Sequence, residues 1–216
     1  PHPVKYVDVK ETHISWVFLT GDYAYKIKKT VKFNVVDYSS LEKRKLFAEK
    51  ELVLNKRLCD PIYISVVRIV RENGEIRVSD SGEAIEYALK MKEIPQEKLL
   101  SSMLEKNEVG EELIEKIAKI MVEFFKRTDG SDKKIVNNFI QLKKKFWDSC
   151  FVSVRDFREP HENIENNVKR FFEDKKEILG KRIKEGKVKD LHGDAHSRNI
   201  FVDGDDIYIY DCIEFD

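Results

Sequence analysis

The spacing of apolar side chains changes near residue 92, and this change limits the possible folds more than any other feature of the sequence. Before it, apolar and polar residues alternate in short runs, the pattern of half-buried strands. After Pro95, apolar residues recur every three or four positions, the period of helices that bury one face. The sequence therefore predicts an α+β protein, with a mainly antiparallel sheet and one helix in residues 1–92 and a mainly helical part in residues 93–216.

Turn and cap residues place the elements of the first part. Alternating runs predict strands at residues 4–9, 14–19, 23–27 and 84–91. Ser39 and Glu42 have the spacing of a capping box, so we expect a helix over residues 41–58. Asn73 and Gly74 predict a type I′ turn between two further strands.

Helical periodicity dominates the second part. It predicts helices at residues 113–124, 135–146 and 162–184, followed by short strands at 188–191, 200–202 and 207–210. The last helix is expected to end before Gly186, which breaks the pattern.

Charge and cysteine content exclude several classes of protein. The chain has 40 basic and 40 acidic residues among 216, so no net field draws it to nucleic acid or acidic lipid. No apolar run approaches the ~20 residues of a membrane span, and no apolar leader opens the chain. Three scattered cysteines do not form a disulfide framework. We therefore expect a cytoplasmic protein with neither nucleic acid nor membrane as partner, while the oligomeric state is not indicated.

The densest group of polar side chains runs from Asp190 to Asn199, between two predicted strands. Asp194 and Asn199 are five positions apart, the spacing at which a phosphoryl-transfer loop places a proton-accepting Asp and a Mg²⁺-binding Asn. Asp211, at the end of the next strand, can supply the second oxygen ligand that Mg²⁺ prefers.

Two other interpretations of this segment stay open. Asp, Asn, Gly and Ser are common turn residues, so the segment can be an ordinary polar turn. His192, Asp194 and His196 also offer two imidazoles and a carboxylate, a set suited to zinc or iron in a hydrolase. Residues far upstream favour phosphoryl transfer.

Phosphoryl transfer from ATP requires a cation at the phosphates, carried by a strand and held by a helix carboxylate. Lys26 lies in a predicted strand, although Lys28 has the same strand parity and the pattern does not separate the two. The hairpin over residues 11–15 can arch over phosphates with backbone N–H groups and small hydroxyls. A metal hydrolase has no use for such a lysine paired with a helix carboxylate.

Glu51 is the candidate carboxylate. At about 100° per residue, it falls in the middle of the apolar face that Phe47, Leu54 and Leu58 form on the predicted helix, whereas Glu49 points away. A carboxylate on a packed face is costly unless a cation meets it, so Glu51 predicts an ion pair. A purely structural salt bridge, or a helix rotated so that Glu51 reaches water, stays an alternative.

Together these residues resemble the aminoglycoside phosphotransferase and choline kinase branch of the protein-kinase-like superfamily. Its catalytic loop reads His-Gly-Asp-x-x-x-x-Asn, which residues 192–199 match. Residues 11–29, 86–92 and 211–215 are also similar to an uncharacterised subgroup of aminoglycoside phosphotransferase-like proteins. The resemblance covers almost the whole chain.

The resemblance implies a bilobal protein-kinase-like fold that binds ATP and Mg²⁺ between residues 1–92 and 93–216. It assigns the catalytic base to Asp194, the metal to Asn199 and Asp211, the phosphates to Lys26, and the positioning of Lys26 to Glu51. It places adenine against Met91, Lys92, Glu93 and Ile94 and the phosphate cover at residues 12–15, including Ser15. His192 is expected to pack and hydrogen-bond within the loop rather than to bind a metal.

The chain departs from the family pattern in three ways. It has no G-x-G-x-x-G loop, and Cys212 rather than Phe-Gly follows Asp211. It begins with Pro1 and ends five residues after Asp211, where relatives continue into helices that build the acceptor pocket. Either a piece of a longer protein or a shortened kinase fits these ends.

The expected function is ATP- and Mg²⁺-dependent transfer of a γ-phosphate to a hydroxyl of a small molecule. The alternatives are a nucleotide-binding module without catalysis and a metal-dependent hydrolase that uses His192, Asp194 and His196. No residue pattern identifies the acceptor.

Overall fold

The computed structural model describes residues 2–33, 36–128 and 161–214. Within these ranges the chain forms a mixed α+β structure with one six-stranded antiparallel sheet. Its strands are β1 (Asp8–Glu11), β2 (Ser15–Leu19), β3 (Tyr23–Lys28), β4 (Tyr63–Glu72), β5 (Glu75–Ser79) and β6 (Ala84–Lys92). They are arranged in the order β1-β2-β3-β6-β4-β5, so β3 and β6 are inner strands. The predicted antiparallel sheet is confirmed.

The β4–β5 turn follows the prediction, whereas the first strand lies further along than predicted. Asn73 and Gly74 have φ values of 53° and 83°, and positive φ at both central residues is the mark of a type I′ turn. Strand β1 occupies residues 8–11 rather than 4–9, because its partner β2 ends at Leu19, which pairs with Asp8. Alternation alone does not show where a partner strand ends.

Helix α1 (Leu41–Cys59) begins at the predicted residue, but its N-cap lies one position later than predicted. Ser40, not Ser39, is the N-cap, and its side chain accepts from Lys43 N at 3.3 Å. The Ser39 hydroxyl instead donates to Asp37 Oδ1 at 2.6 Å. The capping box predicted from Ser39 and Glu42 is therefore wrong by one position at the cap.

The buried face of α1 is made of small and polar side chains rather than large apolar ones. The residues buried on it are Arg44, Ala48, Glu51, Asn55 and Cys59, spaced three or four apart. Phe47, Leu54 and Leu58 are only half-buried at its flanks. The helix contacts β4 and β6 through the buried face, which puts Glu51 against the sheet as predicted.

The remaining described elements are helical up to a final hairpin. They are α2 (Leu100–Glu105), α3 (Glu111–Arg127), α4 (His161–Asp174), α5 (Lys176–Lys184), β7 (Ile200–Asp203) and β8 (Asp206–Ile209). The prediction of one helix over 162–184 is wrong, because the backbone leaves helical geometry at Lys175. Residues 188–191 form no strand, and the helix predicted at 135–146 lies outside the described residues.

Two compact units divide the described residues. One holds the chain up to Ile120 and from His192 onward, and the other holds Met121 to Leu191. The predicted division between residues 92 and 93 coincides with the end of β6 and stays a prediction as a lobe boundary. Within the described ranges, no helix is long and apolar enough to cross a membrane.

The core of the first unit joins the sheet, α1 and the β7–β8 hairpin. Its buried cluster consists of Cys59, Ile62, Tyr63, Leu89, Leu99 and Phe201. Leu99 forms an isolated β-bridge with Phe201, and α1 also contacts β8. Segments from both ends of the sequence are thus packed around one core, which brings their polar residues together.

Candidate active site

A strand lysine joins a helix carboxylate to a carboxylate from the last described segment. Lys26 lies on the inner strand β3, and its Nζ donates to Glu51 Oε1 at 2.8 Å and to Asp211 Oδ1 at 2.5 Å. The ion pair predicted for Glu51 is therefore present. Because neighbouring strands hold β3 on both sides, the position of the Lys26 backbone is fixed by the sheet.

Both members of the Lys26–Glu51 pair stay charged near neutral pH. Burial alone would lower the pKa of Lys26, but the carboxylates of Asp211 and Glu51 hold it well above its ordinary value of 10.5. Burial would likewise raise the pKa of Glu51, yet Lys26 and Lys28 lower it to about 2. Glu51 is fully buried, so these two cations are what keep it ionised.

Lys26 and Lys28 lie on the same face of β3, but the structure gives them different partners. Lys28 is 3% exposed and donates from Nζ to Glu51 Oε2 at 2.7 Å and to Glu214 Oε1. Tyr38 donates to the same Glu214 oxygen at 2.6 Å, and its ring lies 4.7 Å below the ammonium of Lys28. Lys26 thus faces Asp211, and Lys28 faces Glu214.

Sequence reasoning missed Glu214 and Tyr38. Burial and the neighbouring Glu214 carboxylate raise the pKa of Tyr38, so its hydroxyl stays protonated and acts as a donor. A signal was present in the sequence, since Glu214 is an acidic residue that follows Cys212 and Ile213 in an apolar stretch. A buried acid in such a stretch requires a cation, as Glu51 does.

The segment 211–214 is bonded to four different parts of the unit. Asp211 N donates to Tyr63 Oη at 3.1 Å, Cys212 N to Asn55 Oδ1 at 3.0 Å, and Ile213 N to His192 O at 3.0 Å. Glu214 adds the fourth attachment through its side chain. These bonds hold Asp211 at φ +60°, a left-handed conformation that non-glycine residues seldom adopt.

The polar loop brings Asp194 and Asn199 into contact. Asn199 Nδ2 donates to the backbone oxygen of Asp194 at 3.1 Å and to its Oδ2 at 3.3 Å. Asn199 is buried, whereas the side chain of Asp194 is 50% exposed. Tyr210 N donates to Asn199 O at 3.0 Å, which ties this loop to the segment that carries Asp211.

His192 is a buried member of this loop. It is 2% exposed, its Nδ1 accepts from Asp194 N at 3.3 Å, and burial lowers its pKa, so the ring is neutral at pH 7. Its Nε2 has no hydrogen-bond partner of good geometry among the described residues. Within the described ranges, no group of three or more His, Cys, Asp or Glu side chains is arranged to hold a metal. The set of His192, Asp194 and His196 is therefore not assembled as a ligand triad.

Gly193 lies where the loop touches the segment 211–214. Its φ is +82°, and a Cβ at this position would come within 3.0 Å of Ile213 Cδ1. Both the conformation and the close approach favour glycine. The backbone of the loop that carries Asp194 therefore packs against the Ile213 side chain of the segment that carries Asp211.

Two oxygen atoms of the site suit a hard cation. Asp211 Oδ1 binds Lys26, but its Oδ2 accepts no hydrogen bond from the described residues, and the side chain is 43% exposed. Asn199 donates through Nδ2 and leaves Oδ1 without a donor from the described residues. A carboxylate oxygen and an amide oxygen are ligands that Mg²⁺ accepts, so these residues fit the ion.

The connector, residues 92–94 at the end of β6, has one backbone N–H without an acceptor among the described residues. Lys92 N donates to Ile62 O at 2.9 Å and Glu93 N to Asp22 O at 3.1 Å, whereas Ile94 N has no acceptor among the described residues. Met91 and Ile94 are half-buried against the core cluster. Glu93 Oε2 also accepts from the backbone of the β2–β3 turn, which holds the connector in place.

Ser15 is not placed as predicted for a phosphate contact. It is fully buried, it pairs with Lys28 across β2 and β3, and its Oγ has no partner among the described residues. Its backbone N–H donates to Thr12 Oγ1 at 2.9 Å within the β1–β2 hairpin. A hydroxyl enclosed in this way does not reach a ligand in solvent, so the structure does not support a role for the Ser15 side chain.

Comparison with known proteins gives relatives without an assigned activity. The chain is similar to the uncharacterized protein Rv2004c of Mycobacterium tuberculosis strain H37Rv and to the uncharacterized protein Mb2027c of Mycobacterium bovis. In each case the identity is 27% over 224 residues, which cover 100% of this chain and 43% of the relative. The chain thus spans less than half the length of the curated relatives it matches. No family model matches the chain.

Proposed function

We propose that the chain is an ATP- and Mg²⁺-dependent phosphotransferase that moves the γ-phosphate to a hydroxyl of a small molecule. The observation that carries the proposal is the position of Lys26, whose ammonium contacts a buried helix carboxylate and the half-exposed Asp211. With it we propose a bilobal protein-kinase-like fold, similar to that of aminoglycoside phosphotransferases. The zero net charge favours a small-molecule acceptor over nucleic acid.

Lys26 is suited to hold the phosphates of the nucleotide. An ammonium group has three donors, and Lys26 uses one for Glu51 and one for Asp211. The third can bind a phosphate oxygen, and the bond to Asp211 is open to exchange because that carboxylate is half-exposed. Glu51 is buried between two lysines and keeps Lys26 in place during such an exchange.

Asp211 and Asn199 are the residues that would hold Mg²⁺ bound with the nucleotide. The free Asp211 Oδ2 and Asn199 Oδ1 are the atoms available for it. When bound, the ion would neutralise the negative charge on the transferred group. The left-handed backbone at Asp211 supports a functional role, since such strain persists where the surroundings enforce it.

Asp194 would accept the proton of the attacking hydroxyl. Its carboxylate is half-exposed, so an acceptor can reach it, and the bond from Asn199 Nδ2 orients it. A positioned carboxylate of this kind aligns the nucleophile, and alignment supplies most of the catalysis in phosphoryl transfer.

The adenine ring would bind the connector after β6. The N–H of Ile94, which has no acceptor among the described residues, can donate to a ring nitrogen, and the half-buried side chains of Met91 and Ile94 offer apolar contact. The backbone N–H of Lys92 is already bonded to Ile62, so only its carbonyl is proposed as a contact.

The proposal is tested with Asp194→Asn, which keeps the size of the side chain but removes the proton acceptor. Turnover, measured as transfer of labelled γ-phosphate to a panel of sugars, amino alcohols and aminoglycosides, should fall about 100-fold or more, while ATP affinity measured by calorimetry changes less than about threefold. Asp205→Asn in the exposed turn between β7 and β8 is the matched control and should leave both unchanged.

Two results would count against the proposal. Unchanged turnover in Asp194→Asn would remove Asp194 from the mechanism. Nucleotide binding by the unaltered chain without transfer to any acceptor would favour a nucleotide-binding module, and absence of nucleotide binding would reject both functions.

A further inference from the structure

We infer that the buried group of Lys28, Glu214 and Tyr38 is a positioning device that fixes the backbone at Asp211 and so aims its carboxylate at the nucleotide-bound metal ion. The inference rests on the proposed function and assigns roles to three residues that the proposed chemistry does not itself use. We call these three side chains the rear cluster.

The side chains of the rear cluster are buried and hydrogen-bonded to one another. Lys28, Glu214 and Tyr38 are all nine-tenths or more buried. Lys28 and Tyr38 both donate to Glu214 Oε1, so this carboxylate has two donors in the interior of the unit. A buried acid lowers stability unless a cation meets its charge, and here Lys28 supplies that cation.

The rear cluster is attached to Lys26 through one shared carboxylate. Glu51 accepts from Lys26 with Oε1 and from Lys28 with Oε2, at 2.8 and 2.7 Å. Because the two oxygens are rigidly joined, a change at Lys28 alters the orientation of the carboxylate that holds Lys26. Glu51 therefore couples Lys26 to the rear cluster.

Glu214 is also attached to Asp211 along the backbone. Only Cys212 and Ile213 separate them, and their N–H groups are bonded to Asn55 and His192. With Glu214 held by the rear cluster and Asp211 N held by Tyr63, both ends of this short segment are fixed. Such anchoring explains how Asp211 is kept at φ +60°, and the direction of its carboxylate follows from that conformation.

The test compares Glu214→Gln and Tyr38→Phe with Glu86→Gln. The control removes a carboxylate that pairs with Arg44 between α1 and β6. Arg44 also donates to the backbone oxygen of Tyr38 at 3.0 Å, but Glu86 has no hydrogen bond or ion pair with residues 211–214 among the described residues. Four quantities are measured: the melting temperature, the amide hydrogen exchange of residues 211–213, the ATP affinity without Mg²⁺, and the Mg²⁺ concentration that half-saturates ATP binding.

In Glu214→Gln, we expect amide exchange at residues 211–213 to accelerate about tenfold or more and the Mg²⁺ requirement to rise by a similar factor, the effect of weakening one charge-assisted bond. ATP affinity without Mg²⁺ should change less than about twofold, because Glu51 keeps its bonds to both Lys26 and Lys28. Tyr38→Phe should show the same pattern at about threefold, since Lys28 still holds Glu214. Glu86→Gln should lower the melting temperature and leave the other three quantities unchanged.

The outcomes separate this inference from the proposed function. If Glu214→Gln lowers the melting temperature as Glu86→Gln does but leaves exchange and Mg²⁺ requirement unchanged, the rear cluster is merely structural and the inference is overturned. If Glu214→Gln does not fold, Tyr38→Phe decides by the same criteria. If the unaltered chain binds no nucleotide, the proposed function fails, and the exchange data still decide whether Glu214 fixes the Asp211 backbone.

Discussion

At the scale of single residues, Glu51 determines the arrangement of the site. It is fully buried on α1, yet each of its oxygens binds a different lysine of β3. The two cations depend on this carboxylate, because its removal would leave the buried ammonium groups of Lys26 and Lys28 without the anion that they share. The pKa of Glu51 records this dependence, since it lies at about 2 despite burial.

Glu51→Gln should therefore lower the free energy of unfolding at pH 7 by about 3–5 kcal/mol, measured by urea denaturation. Glu49→Gln on the exposed side of the same helix removes an i,i+4 pair with Lys45 and should cost less than about 1 kcal/mol. Equal losses of unfolding free energy in the two variants would show that the buried charge of Glu51 contributes no more to stability than an exposed one.

The same residue predicts an acid dependence of stability. A carboxylate whose pKa is lowered on folding stabilises the protein above its unfolded pKa, and the stabilisation is lost as pH falls through the folded pKa. For Glu51 the window runs from 4.5 down to about 2. Urea midpoints of the unaltered chain should decrease across this window more steeply than those of Glu51→Gln, and parallel curves would contradict the assignment.

At the scale of elements, the polar loop and the segment 211–214 behave as one piece. Ile213 N donates to His192 O, Tyr210 N donates to Asn199 O, and the Ile213 side chain packs over Gly193. A displacement of either segment therefore displaces the other.

Gly193→Ala tests this connection, with Gly204→Ala as its control. Both glycines have positive φ, but nothing lies within 4 Å of a Cβ at Gly204, whereas one at Gly193 meets Ile213 at 3.0 Å. Strain alone should cost Gly204→Ala about 1 kcal/mol, and Gly193→Ala should lose a further 1–3 kcal/mol or so because Ile213 must shift. Equal unfolding free energies in urea would mean that the contact is easily relieved.

Local patterns predicted the elements better than they predicted the pairing of charges. Alternation and turn residues were sufficient for β2, β3 and the turn at Asn73 and Gly74, because these features depend on neighbours in sequence. One partner of Lys28, Glu214, lies 186 positions away, and no period of side chains encodes such a contact. The buried face of α1 was misjudged for the same reason, since its small and polar residues are explained by partners on other elements.

At the scale of the whole molecule, the proposed site draws on both ends of the sequence. Lys26 and Glu51 precede residue 121, Asp194 and Asp211 follow residue 191, and all four belong to one compact unit. A ligand that contacts all of them would oppose the separation of these segments on unfolding. Binding energy should therefore appear as stability of the unit.

Mg²⁺ with ATP at a hundred times its Kd should add about 2.7 kcal/mol to the free energy of unfolding. For a chain of this size, that corresponds to a rise in melting temperature of about 5–10 °C by calorimetry. Lys26→Met should lose the rise, whereas Lys32→Met, at an exposed lysine, should keep it. A rise that survives Lys26→Met would place the nucleotide elsewhere.

The order Asp211, Lys26, Glu51, Lys28, Glu214 alternates in sign and begins and ends with an acid. Three anions against two cations leave one unit of negative charge uncompensated, and Asp211 is the member that solvent reaches most easily. A divalent cation would be attracted to the Asp211 carboxylate at the end of this series, whereas a triphosphate without a metal ion would be repelled by it. Under the proposed function, the nucleotide is thus expected to bind as its metal complex rather than as the free anion.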